Sequence, residues 1–157
     1  LLAGELDGLI YPEAPPPEVL ADPRIARLFP DPKAAEIAYL KRGGPFPIMH
    51  TVVVRDALLE AHPWLARALL DAFGASTELA FRRMRDPRRV SLAWFADAMA
   101  EQRRHLGDAP WATGVGPNRR ALETAARYAH EQRLTSRRLT VEELFVPSTL
   151  EAPPRYV

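Results

Sequence analysis

The chain has 157 residues, of which 47% are hydrophobic and 26% charged, and its formal net charge at pH 7 is +1. This composition is typical of a compact domain with a hydrophobic core, and the interleaved acids and bases lack the one-sided basic stripe that nucleic-acid binding needs. Because cysteine is absent, disulfides, thiolate nucleophiles and cysteine-based zinc sites are excluded. No apolar stretch reaches the ~20 residues of a membrane span, so membrane insertion is not expected.

The first residues predict a short strand followed by a loop. Residues 6–11 form an apolar run between Gly4 and Pro12, which indicates a buried strand. The stretch after it, PEAPPPEVLADP, is too rich in proline to pair in a sheet and predicts a surface loop. The chain opens without methionine, in what reads as the end of a helix, which predicts a segment cut from something longer.

Two helical elements are predicted next. One turn is expected at residues 25–28, and a longer helix over residues 32–40. Asp31 is placed as the N-cap of the longer helix and Pro32 at its first position. The pair of glycines after KR, at positions 43 and 44, predicts its end.

Residues 48–55 give the clearest strand signal. Three successive valines, 52–54, are stiff at χ1 and favour a pleated surface over a helix. Apolar residues occupy both faces of this stretch, which is typical of a strand covered by helices on each side.

The rest of the chain predicts helices. Asp56 is placed as the cap of a short helix, and a capping box, with Thr140 as N-cap and Glu143 three residues on, predicts another. Further helices are predicted from His62–Pro63 to before Pro87, from Ser91 to about Leu106, and from an Asn118 cap to about Gln132. Two strands cannot form a sheet of useful size by themselves, so their partners are expected in preceding sequence.

Five stretches, in chain order, resemble the 4,5-dihydroxyphthalate decarboxylase family: GELDGLIYPEAP, DPRIARLFPD, FPIMHTVVVRDALLEAHPW, GVGPNRRALETAARYAHEQRL and RLTVEELFVPSTLE. The resemblance runs from residue 1 to about residue 151 and corresponds to the C-terminal half of the family's longer chains. That family is similar in fold to type II periplasmic binding proteins, in which two α/β lobes enclose a cleft.

The resemblance implies that this chain is part of such an α/β, two-lobed fold and is mostly helical towards its C-terminus. It assigns residues 1–45, with the proline-rich loop, to the second lobe. It assigns residues 46–157 to a crossover strand and to C-terminal helices that pack on the first lobe.

The implied reaction is decarboxylation of a dihydroxylated aromatic dicarboxylate to a dihydroxybenzoate in the cleft between the lobes, without a cofactor. One hydroxyl of such a substrate lies para to a carboxylate, so loss of its proton makes the carboxylate-bearing carbon basic. The site then needs an acid that protonates carbon, a base or cation near the phenol, and cations that hold the second carboxylate.

His50 is the candidate acid, because imidazole titrates near neutral pH and the residue lies where the chain crosses between the lobes. The alternative is a core histidine whose ring nitrogens bind backbone groups at a strand start. Thr51 is a candidate donor to a substrate carboxylate, although strand alternation points it away from the face of His50.

Four further residues are candidates for substrate binding. Arg42 can clamp a carboxylate, or can be a solvated side chain at a helix end. Asn118 and Arg119 lie at a predicted helix N-terminus, where free amides suit an anion, although asparagine there is more often simply the cap. Tyr11 is the last residue of the first predicted strand, with Pro12 after it, at the end that faces the cleft in open α/β sheets.

No metal site is expected, since the histidines and carboxylates lack ligand spacing. The arginine-rich stretch 82–89 is interpreted as a solvated helix end. The second function class is a non-enzymatic solute-binding protein for an aromatic or heterocyclic acid, which would be periplasmic, whereas the decarboxylase would be cytoplasmic. A third reading is a remnant that does neither.

In either of the first two functions the expected partner is a small aromatic acid, with no nucleic acid and no membrane insertion. A homo-oligomer is left open, because the exposed strand edges can be covered by a second copy or by the proline-rich loop.

Overall fold

A computed structural model describes residues 1–108 and 110–151 of the chain. In that part of the chain the regular structure is helical, without a β-strand, which confirms the mostly helical character. Two compact units are distinguished, Leu1–Gly43 and a second that begins at Gly44. The α-helices are α1 Pro17–Leu20, α2 Pro32–Lys41, α3 Asp56–Ala61, α4 Leu65–Met84, α5 Phe95–Leu106, α6 Val115–Glu131, α7 Val141–Leu144 and α8 Pro147–Leu150, with a 3-10 helix at Pro87–Arg89.

The two predicted strands, residues 6–11 and 48–55, are wrong for the chain as it folds here. Apart from the Arg55 carbonyl, which starts α3, no backbone group of either segment hydrogen-bonds another backbone group within the described residues. A strand exists only where a neighbour completes its hydrogen-bond ladder, and the apolar sequence supplies propensity without supplying a partner. Both segments therefore expose apolar side chains, with Val53 88% accessible and Ile10 fully so.

The first unit is organised around a polar turn, and none of its residues is buried. Both carboxylate oxygens of Asp22 bind the Arg24 guanidinium, at 3.0 and 2.8 Å, and Arg24 also donates to the Leu2 carbonyl at 3.4 Å. The side-chain hydrogen bond from Arg24 lowers the pKa of Asp22 to about 2. A bond from the Ile25 amide to the Asp22 carbonyl closes this turn, which replaces the helical turn predicted at residues 25–28.

Helix α2 confirms its predicted start and stop. The Asp31 carboxylate accepts a hydrogen bond from the Ala34 amide at 2.9 Å, and Pro32 takes the first helical position, where its missing N–H costs nothing. After the helix Gly43 adopts a φ of 82°, a conformation that glycine reaches without strain. The proline-rich stretch, predicted as a loop, contains the single turn α1, again with proline at its first position.

In the second unit the predicted ends of the long helices are right, whereas the predicted helix starts, apart from that of α7, are displaced. Helix α4 ends before Pro87, and α5 ends at Gly107, which has a φ of 76°. Helix α3 has Arg55 as its N-cap rather than Asp56, and α5 begins at Phe95 rather than at residue 91. Glycine and proline end a helix through their own backbone dihedral angles. A polar side chain caps a helix only if it can hydrogen-bond to a backbone amide of the first turn, which depends on its other contacts.

The core of the second unit lies between α6 and the short helices α7 and α8. Val115, Leu122 and Val141 are buried together, and Phe145 and Leu150 pack against them. Helix α8 also contacts α4, so α4 and α6 are joined through it. None of the helices in the described part of the chain has both the length and the apolar character needed to cross a bilayer.

Candidate functional site

The segment that carries His50 and Thr51 is anchored at its beginning by Phe46. The Phe46 ring meets the Trp111 ring edge to face, with centroids 4.8 Å apart and planes at 87°. Trp111 lies in the loop before α6, so this pair joins the start of the segment to that loop. Aromatic pairs of this geometry contribute about 0.5–1.5 kcal/mol beyond the area they bury, which is enough to bias an otherwise unpaired segment towards one position.

His50 lies on the surface of the second unit. The residue is exposed, and its ring makes no hydrogen bond or ion pair within the described residues. The alternative of a core histidine with both ring nitrogens satisfied is therefore absent from this structure. Thr51 is exposed as well.

Asn118 braces the loop before α6 rather than capping a helix. Its Nδ2 group donates to the Ala112 carbonyl at 2.6 Å and to the Gly114 carbonyl at 2.8 Å. The N-cap is Gly114, with a φ of 105°, and the helix begins at Val115, so the predicted cap position was wrong. Since both amide hydrogens are engaged, only Oδ1 of Asn118 remains to meet a ligand.

Arg119 is already paired with carboxylates. Its Nη1 lies 2.8 Å from Oε1 of Glu142 and 3.6 Å from Oε1 of Glu123. The hydrogen bond to Glu142 raises the pKa of Arg119, while the pKa of Glu142 is lowered by its own backbone N–H and by the Arg119 guanidinium. The pair ties α6 to α7 and leaves Arg119 half exposed, so a bound anion would compete with Glu142 for the guanidinium.

The capping box predicted at Thr140 and Glu143 is confirmed and sets the position of α7. The Thr140 amide donates to Oε2 of Glu143 at 2.8 Å, and the Glu143 amide donates to the Thr140 hydroxyl at 3.3 Å. Arg137 Nη2 lies 2.7 Å from the other Glu143 oxygen. The Arg137 hydrogen bond, followed by those from Thr140, lowers the pKa of Glu143 to about 2. Because Val141 lies inside this box, the cap places it in the core below α6.

Tyr11 and Arg42 belong to the first unit, whereas the other candidate residues belong to the second. Tyr11 is 58% accessible. Arg42 is the C-cap of α2, and its backbone amide donates to Ala38. Its exposed side chain has no ion pair within the described residues.

Within the second unit, one connected set of contacts runs from Phe46 through Trp111 and the loop to Asn118, Arg119 and Glu142. Phe46, Trp111 and Glu142 were not predicted as site residues. A tryptophan in the glycine-containing loop PWATGVGP was the one signal that could have pointed to such an anchor, because large aromatic side chains in loops usually pack against something. The described residues hold no group of three or more histidines, aspartates or glutamates that could bind a metal ion.

Comparison with known proteins supplies the context for these residues. No protein-family model matches the chain. The chain is 38% identical over 154 residues to 4,5-dihydroxyphthalate decarboxylase of Comamonas testosteroni. The alignment covers 97% of this chain and 47% of that protein, so the chain spans about half the length of the curated relative it matches. This similarity supports a family relationship with 4,5-dihydroxyphthalate decarboxylase, as a partial match, and confirms the resemblance noted in the sequence.

Proposed function

We propose that the protein represented by this chain decarboxylates a dihydroxylated aromatic dicarboxylate of the 4,5-dihydroxyphthalate class, releasing a dihydroxybenzoate. The observation that carries the proposal is the family relationship, because the alignment with a decarboxylase of that name extends over 97% of the chain. The exposed, unengaged imidazole of His50 supports it, because an acid that meets substrate must not be committed to the core.

The proposed reaction proceeds through protonation of the ring. Removal of the proton from the hydroxyl para to one carboxylate pushes an electron pair towards the carbon that bears this carboxylate. That carbon takes a proton from the site and becomes tetrahedral. The C–C bond to the carboxylate then breaks, carbon dioxide leaves, the bonding electrons return to the ring, and the phenolate is reprotonated. No redox partner is needed, since the carboxylate is replaced by hydrogen and nothing else changes.

In this mechanism His50 acts as the general acid and donates the proton to carbon, a role that histidine often has in enzymes. Arg42 and Thr51 hold the second carboxylate, the guanidinium by charge and the hydroxyl by donation. Tyr11 is a further residue proposed to contact the substrate. Asn118 acts mainly by bracing the loop, with Oδ1 free to accept a phenolic hydrogen.

Arg119 takes part only when the substrate carboxylate displaces Glu142. Its present ion pair then keeps the guanidinium in place between turnovers. Such an exchange costs little free energy at a half-exposed site, where ion pairs contribute little to stability.

We further propose that the cleft lies between two α/β lobes, with residues 1–45 in the second lobe and residues 46–157 contributing a crossover strand and helices of the first. The strands that would pair with the valine-rich segment, residues 48–54, are then supplied by sequence that corresponds to the remainder of the relative's length. The unpaired backbone and the exposed valines of this segment support the idea, because both require a partner to become stable in a sheet.

The test is carbon dioxide release from 4,5-dihydroxyphthalate by the protein that this chain represents, compared with its His50→Ala variant. Loss of a general acid is expected to lower kcat by roughly 100-fold or more. His62→Ala is the matched control, because His62 is also an exposed histidine, 12 residues on, and its ring lies against that of Trp64, with centroids 5.9 Å apart. Equal activity of the His50→Ala variant and the parent would remove His50 from the mechanism. Tight binding of an aromatic acid without turnover would place the protein among solute-binding proteins.

A further inference from the structure

A groove between α4 and α5 lies on elements that carry none of the candidate site residues. Its volume is about 260 Å³. Three apolar side chains line it: Phe81 and Met84 from the last turns of α4, and Met99 from α5. The polar lining consists of Arg85, Gln102, Arg103 and Asp108.

The polar lining carries an excess of positive charge. Two guanidiniums, of Arg85 and Arg103, face a single carboxylate, that of Asp108. The Arg103–Asp108 contact is long, at 3.7 Å, between side chains that are 56% and 85% accessible, and an exposed pair of this kind is weak. The Arg85 side chain makes no hydrogen bond or ion pair within the described residues. The groove can therefore accept one negative charge without first breaking a strong interaction.

The apolar lining fits a flat ring. Methionine side chains are flexible and polarisable, and thioether sulfur makes favourable contacts with aromatic rings. The volume lies just below the ~300–1,000 Å³ of typical ligand pockets, which suits a molecule with one ring. An arginine next to these apolar side chains has a planar guanidinium, which can bind a carboxylate through two parallel hydrogen bonds.

We propose that this groove binds a small aromatic monocarboxylate, with the ring against Met84, Met99 and Phe81 and the carboxylate on Arg85, assisted by Arg103. The inference does not rest on the proposed decarboxylation, because the groove contains none of its residues. The product of that reaction belongs to the same chemical class, so the groove is a second, non-catalytic place where product can bind.

The chain's methionine content makes a direct test possible. It has three methionines, of which Met84 and Met99 line the groove and Met49 lies beside His50. Benzoate is titrated into the protein labelled with 13C at the methionine methyls, and the signals are assigned with Met84→Leu and Met99→Leu variants. The Met84 and Met99 signals are expected to shift together and to saturate, with a Kd on the order of 1 mM for a ligand of this size.

Two controls separate charge recognition from simple ring burial. Benzamide, a neutral analogue of the same shape, and the Arg85→Gln variant should each raise the Kd by about tenfold, because one charge-assisted contact is lost. Arg83→Gln, an exposed arginine of α4 outside the groove, should leave the Kd unchanged.

Unmoved Met84 and Met99 signals, or equal binding of benzoate and benzamide, would overturn the inference. Neither result bears on the decarboxylase proposal, which is tested by turnover. A benzoate-dependent shift confined to Met49 would likewise reject the groove and direct attention to the His50 segment.

Discussion

Phe46 and Trp111 lie edge to face, 4.8 Å between ring centroids, and this contact joins the segment of His50 to the loop before α6. Residues 48–54 have no backbone hydrogen bond within the described residues, so the ring pair is a tertiary contact that holds the start of the segment without a strand ladder. A double-mutant cycle with Phe46→Ala and Trp111→Ala should give a coupling of about 0.5–1.5 kcal/mol in the free energy of unfolding measured by urea. Additive effects of the two substitutions would mean that the rings do not stabilise each other.

Asn118 is expected to contribute more to the free energy of unfolding than its position on the surface of α6 suggests. Asn118→Ala removes two hydrogen bonds to loop carbonyls and is expected to lower the free energy of unfolding by about 1–2 kcal/mol. Thr124→Ala is the matched control on the same helix. Its hydroxyl donates to the Arg120 carbonyl at 2.7 Å, but at an exposed site already inside the helical ladder, so a change below about 0.5 kcal/mol is expected. Equal losses in the two variants would contradict a bracing role for Asn118.

The low pKa of Glu143 predicts that the C-terminal helices lose stability in acid. Its pKa in the folded chain is about 2, against an ordinary value of 4.5, so the folded state favours the ionised form. The resulting stabilisation is complete above about pH 5, and is lost as the pH falls through the folded-state pKa. The difference in unfolding midpoint between the parent and Glu143→Gln should therefore be largest near neutral pH and be mostly lost by pH 2. Asp22, also with a pKa of about 2, is common to both proteins and cancels. A difference that persists unchanged at pH 2 would refute the assignment.

Two valines provide a matched pair for the energetics of burial. Val141 is 2% accessible and lies in the core, so Val141→Ala should cost about 2 kcal/mol in the free energy of unfolding. Val53 is 88% accessible, so Val53→Ala should cost less than about 0.5 kcal/mol in the 157-residue chain. In a polypeptide that also carries the proposed strand partners, the sheet would bury Val53, and the cost there should rise towards that of Val141. The same small cost in both forms would contradict a strand partner for this segment.

Features governed by neighbouring residues were predictable from the sequence. The Asp31 cap, the stop at Gly43, the end of α5 at Gly107 and the capping box of α7 all follow from contacts within about four residues. The same local reasoning failed at Asn118, whose amide turned towards the Ala112 and Gly114 carbonyls. The Asn118 side chain donates to two loop carbonyls instead of capping a helix. The spacing of residues in the sequence does not distinguish these two outcomes.

By itself, the sequence determined the resemblance to 4,5-dihydroxyphthalate decarboxylase, the helical character of the C-terminal part and the residue types available for acid–base chemistry. Only the tertiary structure decided that residues 6–11 and 48–54 lack strand partners, that Phe46 meets Trp111, and that Arg119 is held by Glu142. The physical reason is the range of the interactions. Capping and propensity act over a single turn of chain, whereas hydrogen-bond ladders, ring contacts and ion pairs between helices depend on which distant segments the fold brings within reach.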